Sequence, residues 1–253
     1  MHPPPRLVTA DNFRDVAGPG AGYPTTDGGH VRPGVLYRSN DLQLSAEDLL
    51  VLSGMGLRGV LDLRTRDEIE ALPDAVVPGA GWHHFDVSGI PMDDALELAD
   101  RADAEALMQR VYRGFVEDVR SRTQYGAFLT HLATHDGPQL FHCTTGKDRS
   151  GWAAALLLHV AGVAEDVILA DYLLTNDYAH ATRNRYLTMV EAAFGADRVA
   201  VFEPLFVADP GYLDTAYAAV ATSYGDLDAY LSAGLGLTDA AREQLRRRLR
   251  GPA

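Results

Sequence analysis

The sequence predicts a single α/β domain with a mostly parallel sheet of four or five strands flanked by helices. Short apolar runs alternate with helical segments in the first half, and helical segments dominate the C-terminal half. Of the 253 residues, 47% are hydrophobic, which is enough for a large core. We place the domain at residues 11–253, behind a flexible N-terminal arm at residues 1–10 that contains three consecutive prolines.

The strands are predicted from short apolar runs bounded by glycine and proline. Residues 31–32 and 35–38 are expected to pair as a hairpin, and an internal ion pair is expected between Arg14 and Asp15. The remaining strands are placed at 58–63, 82–87 and 139–142.

Polar side chains come at the ends of two of these strands. Asp62 and Arg64 close the first, and Asp86 lies near the end of the next. Since the carboxyl ends of parallel strands meet at one edge of a sheet, we expect the functional site there.

The helices are predicted from apolar periodicity and from capping residues. Ser45, with Asp48 three residues later, begins one helix, and Thr65, with Asp67 and Glu68 in the first turn, begins another. The other predicted helical segments are 93–135, 152–163, 164–174, 178–194, 209–220, 226–231 and 238–249.

Charge and composition exclude several classes of protein. A net charge of −13 disfavours nucleic acid as a partner, so an anionic substrate must be attracted by a local positive pocket. One cysteine allows no intramolecular disulfide. Without an apolar signal segment or an apolar run of about eighteen residues, we expect a cytoplasmic protein without stable membrane insertion, and export without a signal stays open.

The most informative stretch is residues 141–151, Phe-His-Cys-Thr-Thr-Gly-Lys-Asp-Arg-Ser-Gly. It holds the only cysteine and the only lysine of the chain, and Arg149 is the sixth residue after Cys143. A loop entering a helix offers free N–H groups to a phosphate, and an arginine adds bidentate contacts. A thiolate there is expected to be a nucleophile. An ordinary core cysteine would not need the pattern at 146–149.

This stretch resembles the C-x5-R signature of the cysteine-based phosphatases. Its form, HC-x-x-GKDR-S-G, is most similar to a bacterial tyrosine and dual-specificity phosphatase family that acts on phosphotyrosine and, in several members, on phosphoinositides. Further segments fall in the family's order, at 12–15, 36–39, 60–64, 224–231 and 234–237. The resemblance spans most of the chain and implies the cysteine-based phosphatase fold.

The predicted reaction is hydrolysis of a phosphate monoester through a phosphocysteine, which releases inorganic phosphate. Cys143 attacks phosphorus, Ser150 assists departure of the sulfur, and His142 orders the loop. Lys147 is either a solvated loop residue or, as in lipid and inositol phosphatases of similar signature, a point charge for a second phosphate or an acidic head group. The predicted phosphate-binding residues are Thr144, Thr145, Gly146, Lys147, Asp148 and Arg149.

The leaving oxygen needs a general acid, and three aspartates remain candidates. Asp148 lies inside the loop, as in the resembling family, while Asp62 and Asp86 follow strands. Each could instead be a structural carboxylate paired with an arginine such as Arg64.

The expected substrates are phosphotyrosine first, then phosphoserine or phosphothreonine in proteins, or a phosphoinositide. The non-enzymatic alternative is a phosphate-recognising binding module, although such modules commonly lack the cysteine or the arginine. We expect no cofactor and no metal, because the nine histidines are scattered and the adjacent His83 and His84 point to opposite faces of a strand. A sulfurtransferase or a thiol protease fits the loop less well.

The apolar helices at about 184–220 leave two interpretations open. By resemblance, some family members fold such a pair over the site as a mobile lid. The alternative is an ordinary packed helical layer.

Overall fold

Residues 5–250 are described by a computed structural model. The strands are β1 (Arg14–Asp15), β2 (Leu36–Ser39), β3 (Gly59–Asp62), β4 (Gly81–His84) and β5 (Gln139–His142). They form one sheet in the order β1-β2-β5-β3-β4, in which β1 is antiparallel to β2 and the other pairs are parallel. The prediction of an α/β domain on a mostly parallel sheet is confirmed.

The central strand β5 positions the loop that follows it. Phe141 lies opposite both Arg38 and Leu61, and His142 lies opposite Ser39 and Asp62. All four residues of β5 are buried. The chain therefore leaves β5 in the middle of the carboxyl edge of the sheet, between the ends of β2 and β3.

Helices surround the sheet. They are α1 (Ala46–Gly54), α2 (Arg66–Ala71), α3 (Met92–Leu96), α4 (Arg101–Glu117), α5 (Val119–Thr134), α6 (Arg149–Ala161), α7 (Glu165–Leu173), α8 (Thr175–Tyr178), α9 (His180–Phe194), α10 (Ala196–Phe202), α11 (Pro210–Tyr224), α12 (Leu227–Ala229) and α13 (Asp239–Leu249). A 3₁₀ turn follows α10 at Glu203–Leu205, and a π-helical turn follows α12 at Tyr230–Gly234. The predicted caps of α1 and α2 are confirmed: Ser45 accepts from the N–H of Asp48, and Thr65 and Glu68 form a capping box.

Alternating side chains of the parallel strands divide the core into two layers. Leu36, Leu61 and Phe141 face a large cluster that includes α4, α5, α6 and α11. Their neighbours in sequence face a smaller cluster with α1, consisting of Leu7, Ala10, Phe13, Tyr37, Leu42, Leu52, Leu57, Val60, Val77 and Leu140. Helix α6 is buried over nearly its whole length, so the helix that follows the loop is fixed inside the core.

The predicted hairpin between 31–32 and 35–38 is wrong. Strand β2 pairs with β5 and β1 instead, and Val31 forms an isolated bridge with Arg250. Segment 35–38 is apolar enough to form a strand beside the central strand. In that position both edges of the new strand are hydrogen-bonded to neighbouring strands.

The predicted Arg14–Asp15 ion pair is also wrong. Arg14 Nε lies 3.6 Å from the Asp171 carboxylate, while Asp15 accepts hydrogen bonds from the N–H groups of Ala17 and Gly34. Adjacent residues of a strand point to opposite faces, which separates these two side chains.

The second half of the predicted flexible arm contacts the domain. The N–H groups of Val8 and Thr9 donate to the Asp48 carboxylate at 3.1 Å and 2.7 Å, and Leu7 and Ala10 are buried. Residues 1–4 of the predicted arm lie outside the described residues. Within 5–250, no helix has both the length and the apolar character needed to cross a membrane.

Candidate active site

The loop between β5 and α6 has a backbone shape that only glycine permits at one position. Gly146 has φ +69°, and an added Cβ would lie 2.5 Å from the carbonyl oxygen of Ser39. Two side chains hold the loop from the β1–β2 side. Asn12 Nδ2 donates to the Thr145 carbonyl at 3.0 Å, and Arg38 Nη2 donates to the Gly146 carbonyl at 2.8 Å.

Cys143 begins this loop and is 1% exposed. The loop then turns into α6, whose first residue is Arg149, so its N–H groups lie at a helix N-terminus. Ser150 Oγ is buried and has no hydrogen-bond partner among residues 5–250. The thiol, the helix start and an unpaired hydroxyl therefore occur within eight consecutive residues, 143–150.

Arg149 is held by Glu68, which the sequence marks only as part of a helix start. Nη1 donates to Oε2 at 2.6 Å and Nη2 to Oε1 at 2.7 Å, while the Thr144 hydroxyl also donates to this carboxylate. Burial would raise the pKa of Glu68, but the Arg149 guanidinium outweighs it and holds that pKa well below the usual range. The capping-box spacing from Thr65 was the only sequence signal at this position.

The loop after β4 packs closely against the same guanidinium. An added Cβ at Gly89 would lie 3.1 Å from Arg149 Nη1 and 3.2 Å from Cζ. Gly89 thus lets the backbone approach the arginine closely, and Glu68 and Gly89 together fix its side chain.

Asp148 and Lys147 are paired with each other. Asp148 Oδ1 accepts from the Tyr112 hydroxyl at 2.9 Å and lies 3.2 Å from Lys147 Nζ. Lys147 is completely buried, and its ammonium donates to the carbonyls of Pro204 and Val207. The interpretation of Lys147 as a solvated loop residue is therefore wrong.

The other two candidate acids lie in different surroundings. Asp62 is fully buried, with Oδ1 3.0 Å from Arg64 Nε and Oδ2 2.7 Å from Arg64 Nη2. Burial would raise the pKa of Asp62, but His142 and Arg64 lower it to about 2. Asp86 accepts a hydrogen bond from Arg120. Both carboxylates therefore have arginine partners away from the loop.

His142 lies behind the loop, with Nε2 3.2 Å from an Asp74 oxygen. Burial lowers its pKa, but the Asp62 and Asp74 carboxylates outweigh burial and raise it. These three side chains could in principle hold a metal ion. Arg64 Nη2, however, contacts both carboxylates, so a guanidinium already supplies the positive charge between them.

A cavity of about 350 Å³ lies over the loop. Its polar residues are Glu68, Thr144, Thr145, Asp148 and Arg149. Its walls are mostly apolar and include Ile90, Met92, Leu96, Val111, Phe115, Tyr186, Met189, Val190, Phe194, Phe202, Leu205 and Phe206. The candidate acid in the loop and the candidate phosphate-binding arginine thus share one apolar-walled cavity.

The predicted lid at 184–220 divides into two parts. Helices α9 and α10 and the turn after them line the cavity. Helix α11 packs against α4 instead and buries Tyr212, Leu213 and Ala216 in the core. Only the segment up to Phe206 is therefore placed to cover the site.

The sequences of known proteins align with this chain over nearly its full length. A model of the tyrosine phosphatase family matches residues 5–251. A relative from Cupriavidus necator that carries a tyrosine-protein phosphatase name is 37% identical over 232 residues, which cover 88% of this chain and 81% of the relative. The triple specificity protein phosphatase PtpB of Mycobacterium tuberculosis is 29% identical over 276 residues, which cover 95% of this chain and 96% of the relative.

These matches agree with the loop geometry and with the resemblance found in the sequence. They identify the chain as an enzyme of the protein-tyrosine and dual-specificity phosphatase class. The chain belongs to the tyrosine phosphatase family, in its bacterial branch.

Proposed function

We propose that the protein hydrolyses phosphotyrosine in proteins through a phosphocysteine intermediate and releases inorganic phosphate. One observation carries the proposal: Cys143 begins a loop at a helix start whose Arg149 is fixed by Glu68 under an apolar cavity. A cradle of this kind suits a tetrahedral dianion, because its donors are in place before the substrate arrives.

The first step forms a bond between the Cys143 sulfur and phosphorus and breaks the bond from phosphorus to the leaving oxygen. Asp148 gives a proton to that oxygen. In the second step water attacks phosphorus, Asp148 takes a proton from the water, and the sulfur leaves, with Ser150 available as its hydrogen-bond donor. Arg149 and the loop N–H groups bind the phosphate oxygens throughout.

Asp148 is the general acid in this proposal. It lines the cavity, whereas Asp62, with a pKa of about 2, is ionised at neutral pH and has no proton to give. Asp86 is engaged by Arg120. His142 and Arg64 then serve to hold the carboxyl edge of the sheet behind the loop.

The cavity walls support an aromatic substrate. Apolar side chains above the loop can bury a phenyl ring, which a phosphoserine side chain does not have. Phosphoserine, phosphothreonine and phosphoinositides are further candidates, and the name of the M. tuberculosis relative, a triple specificity phosphatase, supports testing them. A phosphoinositide has less support from Lys147, because that ammonium contacts Pro204 and Val207.

The test compares the wild type with Cys143→Ser on a phosphotyrosine peptide and on p-nitrophenyl phosphate. We expect turnover by the wild type and a fall of at least about 10³-fold for the variant, with acid quenching trapping a phosphorylated cysteine only in the wild type. If both proteins bind the phosphopeptide but neither turns it over, the chain is a binding module. Turnover of phosphoserine peptides and of phosphoinositide vesicles by the wild type then ranks the other candidate substrates.

A further inference from the structure

The only lysine of the chain lies inside the protein rather than at the cavity surface. Lys147 Nζ lies 3.2 Å from Asp148 Oδ1, and it donates to the Val207 carbonyl at 3.1 Å and to the Pro204 carbonyl at 3.4 Å. The Tyr212 ring covers it, with the centroid 5.3 Å from Nζ. Among residues 5–250, every polar contact of this ammonium is therefore to the loop or to the segment that follows α10.

The same Asp148 oxygen has a second donor. The Tyr112 hydroxyl donates to Oδ1 at 2.9 Å and lies 2.7 Å from the Tyr172 hydroxyl. Asp148 Oδ2 makes no hydrogen bond with residues 5–250, and Asp148 lines the cavity. The two oxygens of the carboxyl group are thus distinguished, one held inside the protein and one left for the substrate.

We propose that Lys147 is a positioning residue for the general acid, which fixes Asp148 Oδ1 and ties it to the main chain at 204–207. The inference rests on the proposed function and deepens it. With Oδ1 engaged by two donors, a proton on this carboxyl group is carried by Oδ2, the oxygen that the leaving group can reach. Burial lowers the pKa of Lys147, and the Asp148 carboxylate offsets only part of that effect.

This arrangement explains why lysine is used in a chain that otherwise has arginine. A compact ammonium with three donors can reach one carboxylate and two carbonyls that lie in different directions. A planar guanidinium distributes its donors in one plane and fits this set less well. The charged and titratable groups around Lys147 and its carboxylate partner include Cys143, Asp148, Asp209, Tyr112, Tyr125, Tyr172 and Tyr212.

The experiment compares two leaving groups in Lys147→Met and in the wild type. Phenyl phosphate needs a proton on its leaving oxygen, whereas p-nitrophenyl phosphate leaves with much less help. We expect kcat/KM to fall about tenfold or more for phenyl phosphate and less than about threefold for p-nitrophenyl phosphate. The basic limb of the phenyl phosphate pH profile is expected to move to higher pH, because the positive charge that favours the carboxylate form is gone.

Lys147→Gln repeats the comparison if Lys147→Met does not fold, since an amide can still donate to the Pro204 or Val207 carbonyl. Compared with Lys147→Met, Lys147→Arg should regain part of the activity on phenyl phosphate, and its basic pH limb should lie closer to that of the wild type. Tyr217→Phe is the control, because the Tyr217 hydroxyl oxygen is buried on the same helix α11 and makes no hydrogen bond with residues 5–250. It should keep the wild-type ratio of the two substrates.

Equal losses on both substrates, with the pH limb unmoved, would show a merely structural lysine and overturn the inference. That outcome differs from failure of the proposed function, in which the wild type itself would turn over neither substrate.

Discussion

The Glu68 carboxylate contacts both terminal nitrogens of the Arg149 guanidinium, at 2.6 Å and 2.7 Å. Two parallel hydrogen bonds fix the plane of the guanidinium as well as its position. The arginine is therefore oriented in the free enzyme, and binding of phosphate does not have to order it. Glu68 also caps α2 through Thr65, so the start of that helix and the phosphate cradle depend on the same side chain.

Removing the charge of Glu68 should disable the cradle without removing a reacting group. For Glu68→Gln we expect kcat/KM on a phosphotyrosine peptide to fall about 10- to 100-fold, because a misplaced arginine loses part of its contacts in the transition state. Inhibition by inorganic phosphate should weaken in parallel. Glu70→Gln, an exposed position on the same helix, is the control and should match the wild type. Equal kinetics for the two variants would rule out this role of Glu68.

Asp148 and Asp62 should respond differently to loss of charge. Asp148→Asn is expected to lower kcat/KM for phenyl phosphate by about 10²-fold or more and to flatten the basic limb of its pH profile. Asp62→Asn leaves Arg64 partly unpaired in the core, so it should lower the midpoint of thermal unfolding and leave that limb in place. An unchanged limb in Asp148→Asn would refute our assignment of the acid.

Two effects of replacing Gly146 can be measured separately: the clash of a Cβ with the Ser39 carbonyl, and the strain of a left-handed backbone. Gly146 and Gly236 both have φ +69°, but an added Cβ meets the Ser39 carbonyl at Gly146 and nothing within 4 Å at Gly236. Gly236→Ala should therefore cost only about 1–2 kcal/mol of stability, from the left-handed backbone. Gly146→Ala should cost more and reduce kcat/KM by about 10²-fold, since the loop must move. Thermal unfolding and phosphotyrosine kinetics measure both effects, and similar results for the two variants would contradict this account.

Three histidines, one on β4 and two at the end of α5, should make the stability of the protein depend on acid pH. The His131 ring stacks on the His135 ring with 3.8 Å between the ring centroids, and its centroid lies 4.3 Å from that of His83. Burial, followed by the charges of His135, His83 and Arg248, lowers the pKa of His131 to about 4. The unfolded chain therefore binds more protons between about pH 6.5 and 4, and the free energy of unfolding should fall as the pH falls through this range.

Urea unfolding at several pH values measures this dependence. His131→Asn should reduce its slope, whereas the exposed His30→Asn should not. A slope that is the same in His131→Asn and in the wild type would mean that other groups cause the acid sensitivity.

Most of the fold could be predicted because its signals are local. Apolar runs predicted β3, β4 and β5, and hydroxyl side chains predicted the starts of α1 and α2. The prediction of a hairpin at 31–38 was wrong because glycine and proline indicate a turn but do not determine which strand the following strand pairs with. Leu36–Ser39 pairs with a strand that begins about a hundred residues later. Such pairing depends on the whole sheet rather than on nearby residues.

The site was predictable only where its residues are close in sequence. Cys143, Asp148 and Arg149 stand in one loop, so the motif alone placed them together. Glu68 lies 81 residues before Arg149, and its position on an exposed helix start gave no sign of the contact. The burial of Lys147 was equally hidden, because its carbonyl partners at 204–207 come from a segment with no polar motif.

The pairing of charges at the cradle has a consequence for the dependence on ionic strength. Glu68 balances Arg149, and Asp148 balances Lys147 when it is ionised, so these four side chains add at most one positive charge in a protein that carries −13 overall. A small dianion then meets the repulsion of the net negative protein on its approach, and Arg149 and the loop N–H groups hold it once it arrives. Added salt from about 0.01 M to 0.15 M should therefore raise kcat/KM for phenyl phosphate, because it screens this repulsion. A decrease with salt would instead reveal a positive field at the cavity mouth.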